Sequence, residues 1–341
     1  MQAEKKQKLV RMFKVIGFLL SVIVALSAVY FAAHPSSVPG ALTTFRTYNA
    51  NRIFAEDENT VDVVFCGHSG VYSGISPMEI YAEYGIAGYD YAQPLMMPWE
   101  SYKCLDDLFK KQTPRLVVLD VDQFFYDSPM WLFKSYAKRA VLTVFPFYES
   151  HLQWRDGFGK PSRDANKGYV YKDGVKAYGG DTKFTQTEQA YEMHEKHAKY
   201  LKKICELCKA RGVELALSEL PSRYIWTYEK HNTIQRFADK YGLKFLDMNT
   251  DEITEAIMFD WASDTCDGGD HLNYSGAHKA TRYMGRWLDG NFDLPDRRGD
   301  AAYAAWNSDL EKYREYISER VPNAFGKQSL NPKRGEICRE K

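Results

Sequence analysis

The stretch Val61-Asp-Val-Val-Phe-Cys-Gly-His-Ser-Gly70 is a short apolar run that ends abruptly in small and polar residues. A β-branched apolar run of this length predicts a buried strand, and Gly67 and Gly70 predict the tight turn that ends it. Such a turn lifts the Ser69 hydroxyl out of the sheet edge, where it can meet a substrate. Because a serine hydroxyl is chemically idle until a base takes its proton, the chain must supply a base from elsewhere.

The best candidate base is His271, which lies in the polar, glycine-rich stretch Asp267-Gly-Gly-Asp-His-Leu-Asn-Tyr-Ser-Gly276. The carboxylates of Asp267 and Asp270 are close enough in sequence to orient its imidazole. The side chain of Asp270, directly before His271, would usually point away from the imidazole, which favours Asp267 slightly. In a glycine-rich turn, however, either carboxylate can reach the outer ring nitrogen. In an open parallel sheet the active crevice forms at the carboxyl ends of the strands, so Ser69 and His271 can meet there.

Apolar runs and helical segments alternate along the chain, which predicts a layered α/β sheet. The further predicted strands are residues 115–121, 213–221 and 243–247. The predicted helices are residues 76–84, 100–111, 187–212, 231–240, 276–288 and 303–321.

Residues 125–186 break this alternation, because they are dense in aromatic residues, glycine and lysine and show no clear period. An insertion of this size predicts a lid or substrate wall, or a structural flap. The predicted plan is a basic tail and anchor over residues 1–34, an α/β domain over 35–296 with this insertion, and a helical, polar tail over 297–341. Residues 34–40 are predicted to be a linker, and residues 322–341 to be loose.

Residues 15–33 carry no charge and directly follow a cluster of basic side chains. That cluster consists of Lys5, Lys6, Lys8, Arg11 and Lys14. The apolar run is long enough to cross a bilayer as a helix, and basic residues before it place that end in the cytoplasm. We therefore predict a single-pass anchor in the cell membrane with the domain outside. A cleaved signal peptide and a buried core helix are the alternatives.

Charge and cysteine content exclude several classes of function. Lysine plus arginine equals aspartate plus glutamate, at 45 each, so no net charge indicates a nucleic-acid partner. The six cysteines lack the spacing of a disulfide framework. Cys266 lies close in sequence to the Asp-His stretch, which makes it the cysteine to check for a disulfide pair. Cys205 and Cys208 have no second Cys-x-x-Cys, and His194 and His197 have no evident third ligand. No metal and no cofactor is expected.

Four pieces of the sequence together resemble the SGNH/GDSL hydrolase superfamily. They are Gly67-His-Ser-Gly70, Ile75-Ser-Pro77, the Pro-Arg-Leu-Val-Val-Leu-Asp strand and the most specific motif, Asp270-His-Leu-Asn-Tyr-Ser-Gly-Ala277. The resemblance spans most of residues 10–290. It is strongest to the membrane-anchored branch, whose members work beside membrane-bound O-acyltransferases in alginate O-acetylation and teichoic-acid D-alanylation.

The resemblance implies a three-layer α/β/α, flavodoxin-like parallel sheet, with Ser69 as nucleophile, His271 as base and an aspartate completing the triad. It also implies a membrane-bound O-acyltransferase partner. The chain departs from the family in having Gly268 where the family commonly has the aspartate of Asp-x-x-His. His68 stands before the nucleophile in place of Asp or Ser, and a turn-packing role is the simplest interpretation. The α/β-hydrolase elbow fits less well, because Val71 replaces its second glycine.

The superfamily's oxyanion hole often uses a glycine and an asparagine from later loops, and residues 89–94 offer only Gln93 and backbone N–H groups. Gly67 and Gln93 are therefore predicted as oxyanion or substrate residues, alongside the Ser69 N–H as an oxyanion donor. Asn273 is interpreted chiefly as a cap that fixes the catalytic loop. Asp120 and Asp122 end a strand at the same edge, where they either pack and cap or contact substrate.

The Ser/Asp-His pair and the predicted anchor, taken with what the resemblance implies, predict an extracytoplasmic enzyme that transfers an acyl group, most simply acetyl, through a serine ester to a cell-envelope polysaccharide or similar polymer. A stand-alone esterase shares the same triad and is the first alternative. A membrane-tethered protein that binds or assembles polysaccharide without catalysis, using the aromatic insertion as a groove, is the second.

Overall fold

A computed structural model describes residues 2–33, 48–144, 162–322 and 324–325 of the chain. The linker predicted at residues 34–40, the aromatic stretch 147–154 of the insertion and the segment 326–341 lie outside the described residues. Five strands are present: β1 (Val63–Gly67), β2 (Gly88–Ala92), β3 (Leu116–Asp120), β4 (Glu214–Glu219) and β5 (Lys244–Asp247).

The helices divide into those before and those after the insertion. The first group is α1 (Gln2–Ala33), α2 (Tyr48–Asn51), α3 (Ser69–Gly74), α4 (Pro77–Tyr84), α5 (Pro98–Leu108) and α6 (Pro129–Val144). The second group is α7 (Glu195–Arg211), α8 (Tyr228–Tyr241), α9 (Asp251–Ala256), α10 (Tyr274–Asn291) and α11 (Ala304–Ser318). Three short 3₁₀ turns cover Arg52–Ala55, Asp122–Phe125 and Ala301–Tyr303.

The strands form one parallel sheet in the order β2-β1-β3-β4-β5. β1 lies between β2 and β3, and every residue of these three strands is buried. Burial on both faces explains why β1 and β3 are continuous apolar runs rather than alternating ones. The predicted α/β class with a parallel sheet flanked by helices is therefore confirmed, and the carboxyl ends of all five strands share one edge.

Several local predictions differ from the structure, and the first is that the insertion predicted to lack a clear period contains the helix α6 (Pro129–Val144). β2 was not predicted as a strand, because its sequence Gly-Tyr-Asp-Tyr-Ala lacks a β-branched run, yet it pairs with β1 along its whole length. Helix α7 begins at Glu195 rather than near residue 187, because the His194 ring accepts the Lys196 N–H as an N-cap.

The last helix, α11, packs against α4 and joins the core. Trp306 and Tyr313 are buried, and the Tyr313 hydroxyl accepts a hydrogen bond from Ser76 and donates one to Glu79, at 2.7 and 2.9 Å. The segment that the sequence places in a polar tail thus contributes aromatic side chains to the same core as the sheet.

The second half of the insertion, residues 162–186, runs without strands over the domain surface. It is fixed at Lys167, whose buried ammonium lies 2.9 Å from Glu56 and 2.7 Å from Asp309. Further along, Lys172 O accepts the Tyr274 N–H and Lys176 N–H donates to Thr265 O. These bonds place the insertion against the loop that precedes α10.

One helix of the described chain is long and apolar enough to cross a membrane. It covers Lys5–Ala28 within α1, with a mean hydropathy of 2.3 and none of the apolar window buried. Its length and composition match the predicted anchor segment.

Candidate active site

Ser69 is the first residue of α3 and follows β1 after a single residue. That abrupt change from strand to helix requires Gly67, since a Cβ there would lie 2.4 Å from the Cβ of Asp120 on β3. The N–H groups in the first turn of a helix have no intrahelical partner. The Ser69 N–H makes no hydrogen bond within the described part of the chain, so it remains a free donor beside its own hydroxyl.

His271 comes from the other end of the sequence to face Ser69. Its Nε2 lies 2.7 Å from Ser69 Oγ, and its Nδ1 lies 2.5 Å from Asp267 Oδ2. A carboxylate only accepts hydrogen bonds, so Nδ1 carries a proton and Nε2 of the neutral ring is the acceptor for the Ser69 hydroxyl. The structure therefore brings the predicted serine, histidine and one aspartate into a continuous chain of hydrogen bonds.

The two aspartates near His271 differ in their geometry. Asp267 reaches the imidazole across a turn made by Gly268 and Gly269, whose φ angles are +95° and +103°. Its second oxygen, Oδ1, accepts the N–H groups of Asp270 and His271 at 3.2 and 2.9 Å. Asp270 Oδ2 lies 3.4 Å from His271 Nδ1, and its other oxygen lies 3.5 Å from the Ser222 hydroxyl. Asp267 is thus the closer partner, and Asp270 sits beside it.

The pKa values of these carboxyls shift in opposite directions. Partial burial alone would raise the pKa of Asp267, but the N–H of His271 and the imidazole outweigh it, so that pKa lies below its ordinary value. Burial raises the pKa of Asp270 above its ordinary value, against the attraction of His271 and His68. At neutral pH the closer acid is the one that holds its charge most firmly.

The loop that carries His271 is fixed on both sides. An isolated antiparallel bridge joins Thr265 to Leu272 across it. Asn273 is the N-cap of α10, and its Oδ1 accepts the Gly276 N–H at 3.2 Å. The Asn273 Nδ2 group donates to Ser263 O at 2.7 Å and to Gly174 O at 3.1 Å. Asn273 therefore caps the helix and ties the loop to the insertion, while pointing its polar atoms into the protein.

His68 lies behind Ser69 and contacts the end of β3. Its Nδ1 accepts the Gly70 N–H at 2.9 Å, so a neutral ring carries its proton on Nε2. That atom lies 3.3 Å from Asp120 Oδ2 and 3.7 Å from Asp122 Oδ2. Burial, opposed by His68 and reinforced by Asp122, raises the pKa of Asp120 to about 6. This pair was not predicted, because its members lie far apart in sequence and meet only when β1 pairs with β3.

Gln93 lies directly after β2, beside the turn that carries Ser69. Its backbone N–H donates to Gly67 O at 3.1 Å, which fixes the two strand ends together. Its side chain is buried, and neither Nε2 nor Oε1 has a hydrogen-bond partner among the described residues. Its amide is thus a buried donor without a partner among the described residues, beside the strand end that precedes Ser69.

The predicted thiol and metal candidates are also accounted for. Cys266 is a free thiol among the described residues, and Cys338 lies outside them. His197 Nδ1 lies 2.9 Å from the Phe124 carbonyl oxygen, and His194 serves as a cap. Within the described chain, one group has ligand atoms close enough for a metal, namely Asp267, Asp270 and His271, within 4.8 Å of one another. Both ring nitrogens of His271 are already engaged by protein atoms.

No protein-family model matches the sequence, and no curated protein matches it. Among solved structures, the chain is similar to a GDSL-like lipase from Bacteroides thetaiotaomicron, at 11% identity over 74% of this chain and 100% of that one, with a TM-score of 0.39. It is also similar to a mutant of a Geobacillus acetyl-xylooligosaccharide esterase, at 10% identity over 70% and 97% of the two chains, with a TM-score of 0.40.

Proposed function

We propose that this protein is a serine-dependent acyl-ester enzyme of the SGNH type, which works through an acyl-Ser69 intermediate. The observation that carries the proposal is the continuous Ser69–His271–Asp267 chain, with contacts of 2.7 and 2.5 Å. A hydroxyl, an imidazole and a carboxylate in that order supply the nucleophile, the base and the group that orients the base in serine-based acyl transfer.

In the first half of the proposed reaction, Ser69 Oγ attacks the carbonyl carbon of an ester as its proton passes to His271 Nε2. The Ser69 N–H holds the oxyanion of the tetrahedral intermediate, and the partnerless Gln93 amide is the candidate second donor. The intermediate then collapses, the carbon–oxygen bond to the leaving alcohol breaks, and His271 gives its proton to that alcohol. Asp267 stabilises the imidazolium that exists between these two proton transfers.

In the second half, a hydroxyl group of the acceptor attacks the acyl-serine, and His271 takes its proton and returns one to Ser69. We propose that the acceptor is a hydroxyl of a cell-envelope polysaccharide or similar polymer outside the cell membrane. The helix Lys5–Ala28, whose first part carries the basic cluster and whose remainder is apolar, supports that location. A membrane-bound O-acyltransferase partner would supply the acyl group, which follows from the resemblance alone.

Hydrolysis is the second candidate, because the same intermediate reacts with water. The observation that favours it is the openness of the site, since the side chains of His271 and Asp267 are 23% and 40% exposed. The two outcomes separate in one measurement. Purified protein is given an acetyl-ester reporter with and without the isolated polymer, and the ratio of acetylated polymer to free acetate is measured. Transfer predicts that the polymer captures most of the acetyl group; an esterase releases acetate in both cases.

The mechanism itself is tested by labelling and substitution. A fluorophosphonate probe should label Ser69, and Ser69→Ala and His271→Ala should each abolish both labelling and ester turnover. Ser73→Ala and His278→Ala are the matched controls, because Ser73 lies on the same helix and His278 follows on α10, bonded to Glu79. Folded protein that does not label at Ser69 would exclude the mechanism and favour a non-catalytic, polysaccharide-binding role.

A further inference from the structure

Helix α6 presents an apolar face to the outside of the domain. Met130, Phe133 and Val141 are 63%, 75% and 44% exposed, and they lie on one face of the helix with Ala137 between them. Trp131 stands beside this stripe at 40% exposure. A surface helix ordinarily buries such a stripe against its own domain, whereas within the described part of the chain this stripe has no partner.

The opposite face of α6 holds the helix in place through polar contacts. The buried Ser135 hydroxyl accepts a hydrogen bond from the Trp99 indole at 2.7 Å, and Lys138 is paired with the buried Glu100. The helix is therefore fixed on α5 by its polar side. Its apolar side faces outward because these contacts set its rotation.

The charge of α6 is of one sign. Residues 129–144 include Lys134, Lys138 and Arg139 and contain no aspartate or glutamate. Lys134 Nζ lies 5.9 Å from the centre of the Trp131 ring, so a cation and an indole stand side by side at the edge of the stripe. A basic side chain beside exposed tryptophan and aliphatic residues, on a helix without acidic residues, suits the surface of a bilayer that contains anionic lipids.

We propose that this apolar face of α6 inserts into the interfacial region of the same membrane that holds α1. The inference rests on the anchor of the proposed function and adds a second point of contact. Residues 34–47 separate α1 from α2, and fourteen residues extend to at most about 50 Å. A domain of this size has a radius of gyration of roughly 18 Å. The tether therefore keeps every face of the domain within reach of the bilayer, and α6 is the face suited to it.

Contact through α6 would also orient the active site. The 3₁₀ turn Asp122–Phe125 links β3 to α6 at the carboxyl edge of the sheet, which is the edge that carries Ser69. A domain resting on α6 thus holds this edge near the membrane surface, where an acyl group delivered from the bilayer emerges.

The test uses the full chain in vesicles of phosphatidylcholine and phosphatidylglycerol whose acyl chains are brominated, because bromine quenches tryptophan at short range. The segment 1–33 contains no tryptophan, so the anchor contributes no signal. The tryptophan fluorescence of wild type should contain a bromine-quenched component that is missing from Trp131→Phe. Trp287→Phe, on α10, is the matched control and should keep that component. Equal fractional quenching in wild type and Trp131→Phe would overturn the proposal.

A second variant tests the stripe itself. Phe133→Glu places a charge where the side chain is already exposed, so it should melt like wild type while at least halving the quenching of Trp131. Unchanged quenching would contradict insertion through this face. Ester-reporter turnover is expected to be equal in wild type and Trp131→Phe. Ester turnover therefore tests the proposed chemistry, and tryptophan quenching tests the membrane contact, independently of each other. Flotation of the vesicles tests the anchor separately.

Discussion

The carboxylates of Asp267 and Asp270 contribute differently to the imidazole beside them. Asp267 lies 2.5 Å from His271 Nδ1, whereas Asp270 lies 3.4 Å away. Asp267→Asn should lower kcat/KM for an ester reporter by about 10²- to 10⁴-fold, because the neutral amide no longer stabilises the imidazolium. Asp270→Asn should lower kcat/KM by less than about tenfold. Steady-state kinetics of the two variants measures this ranking, and the reverse order would assign the acid to Asp270.

His68 holds the start of α3 by accepting the Gly70 N–H at 2.9 Å. Asparagine places an acceptor oxygen where His68 has Nδ1, and it is among the best N-cap residues. His68→Ala should therefore lower the free energy of unfolding by about 1 kcal/mol, and His68→Asn should recover most of that loss. Urea denaturation measures both. If His68→Asn proves as unstable as His68→Ala, the contact of His68 with Asp120 is what holds the turn.

Asp120 gives the region a distinct dependence on pH. Its pKa is about 6 in the folded protein, above the value of about 3.9 in an unfolded chain. Between those values the folded state binds the extra proton, so wild type loses stability through this group as pH rises from about 4 to 6. Asp120→Asn removes that loss. The free energy of unfolding of Asp120→Asn minus that of wild type should therefore rise by about 2 kcal/mol from pH 4 to pH 7. Urea denaturation of both proteins at both pH values measures it. No change in the difference would contradict the raised pKa.

At the scale of residues, sequence motifs predicted the pairing of Ser69 with His271, because each residue sits in a recognisable glycine-bordered turn. They left the choice of aspartate open, since it depends on the positive φ angles of Gly268 and Gly269, which bring Asp267 back over the ring. They missed the contact of His68 with Asp120 altogether. That contact depends on strand register, which pairs Cys66 with Leu119 and so sets the two strand ends side by side.

At the scale of elements, the buried hydroxyl group of Tyr313 is one of the groups that attach α11 to the domain. Tyr313 accepts from Ser76 and donates to Glu79. Tyr313→Phe removes the hydroxyl, so the buried Ser76 and Glu79 side chains each lose a hydrogen bond. The free energy of unfolding should therefore fall by about 1–3 kcal/mol. Tyr316→Phe, on a partly exposed position of the same helix, is the control and should change stability by less than about 0.5 kcal/mol. Equal effects of the two substitutions would indicate that α11 is dispensable for the core.

Four of the five strands follow from apolar runs in the sequence, and their helices from capping residues such as Pro77 and Gly212. β2 escapes that approach because its inward positions are tyrosines around a buried Asp90 rather than aliphatic residues. Helix α11 was predicted over residues 303–321, but its packing into the core was not, although Trp306, Leu310, Tyr313 and Ile317 are all buried. Strand β2 is stabilised by tertiary burial that a local pattern does not contain.

At the scale of the whole molecule, the sheet brings distant parts of the chain to one edge. Ser69 follows β1, Gln93 follows β2, Asp120 ends β3, and the loop after β4 approaches His271 through the Tyr224 N–H bond to Gly269 O at 3.0 Å. The same edge leads into α6. The parallel order of the strands is therefore what converts separate motifs into one site, and it also sets which face of the domain a membrane would meet.

The anchor is the remaining element of that arrangement, and it is tested on the full chain. We expect alkaline carbonate to leave the protein in the membrane pellet and the mature protein to retain its N-terminal segment by mass spectrometry. Leu19→Glu combined with Val22→Glu should abolish retention, since each charge near the centre of the helix costs roughly 2.5–3.5 kcal/mol of insertion free energy. Leu19→Ile with Val22→Leu is the matched apolar control. A mature chain that begins within residues 28–34 would instead identify a cleaved signal peptide. The domain would then be exported without a membrane anchor, and α6 would be the remaining proposed contact between the domain and the membrane.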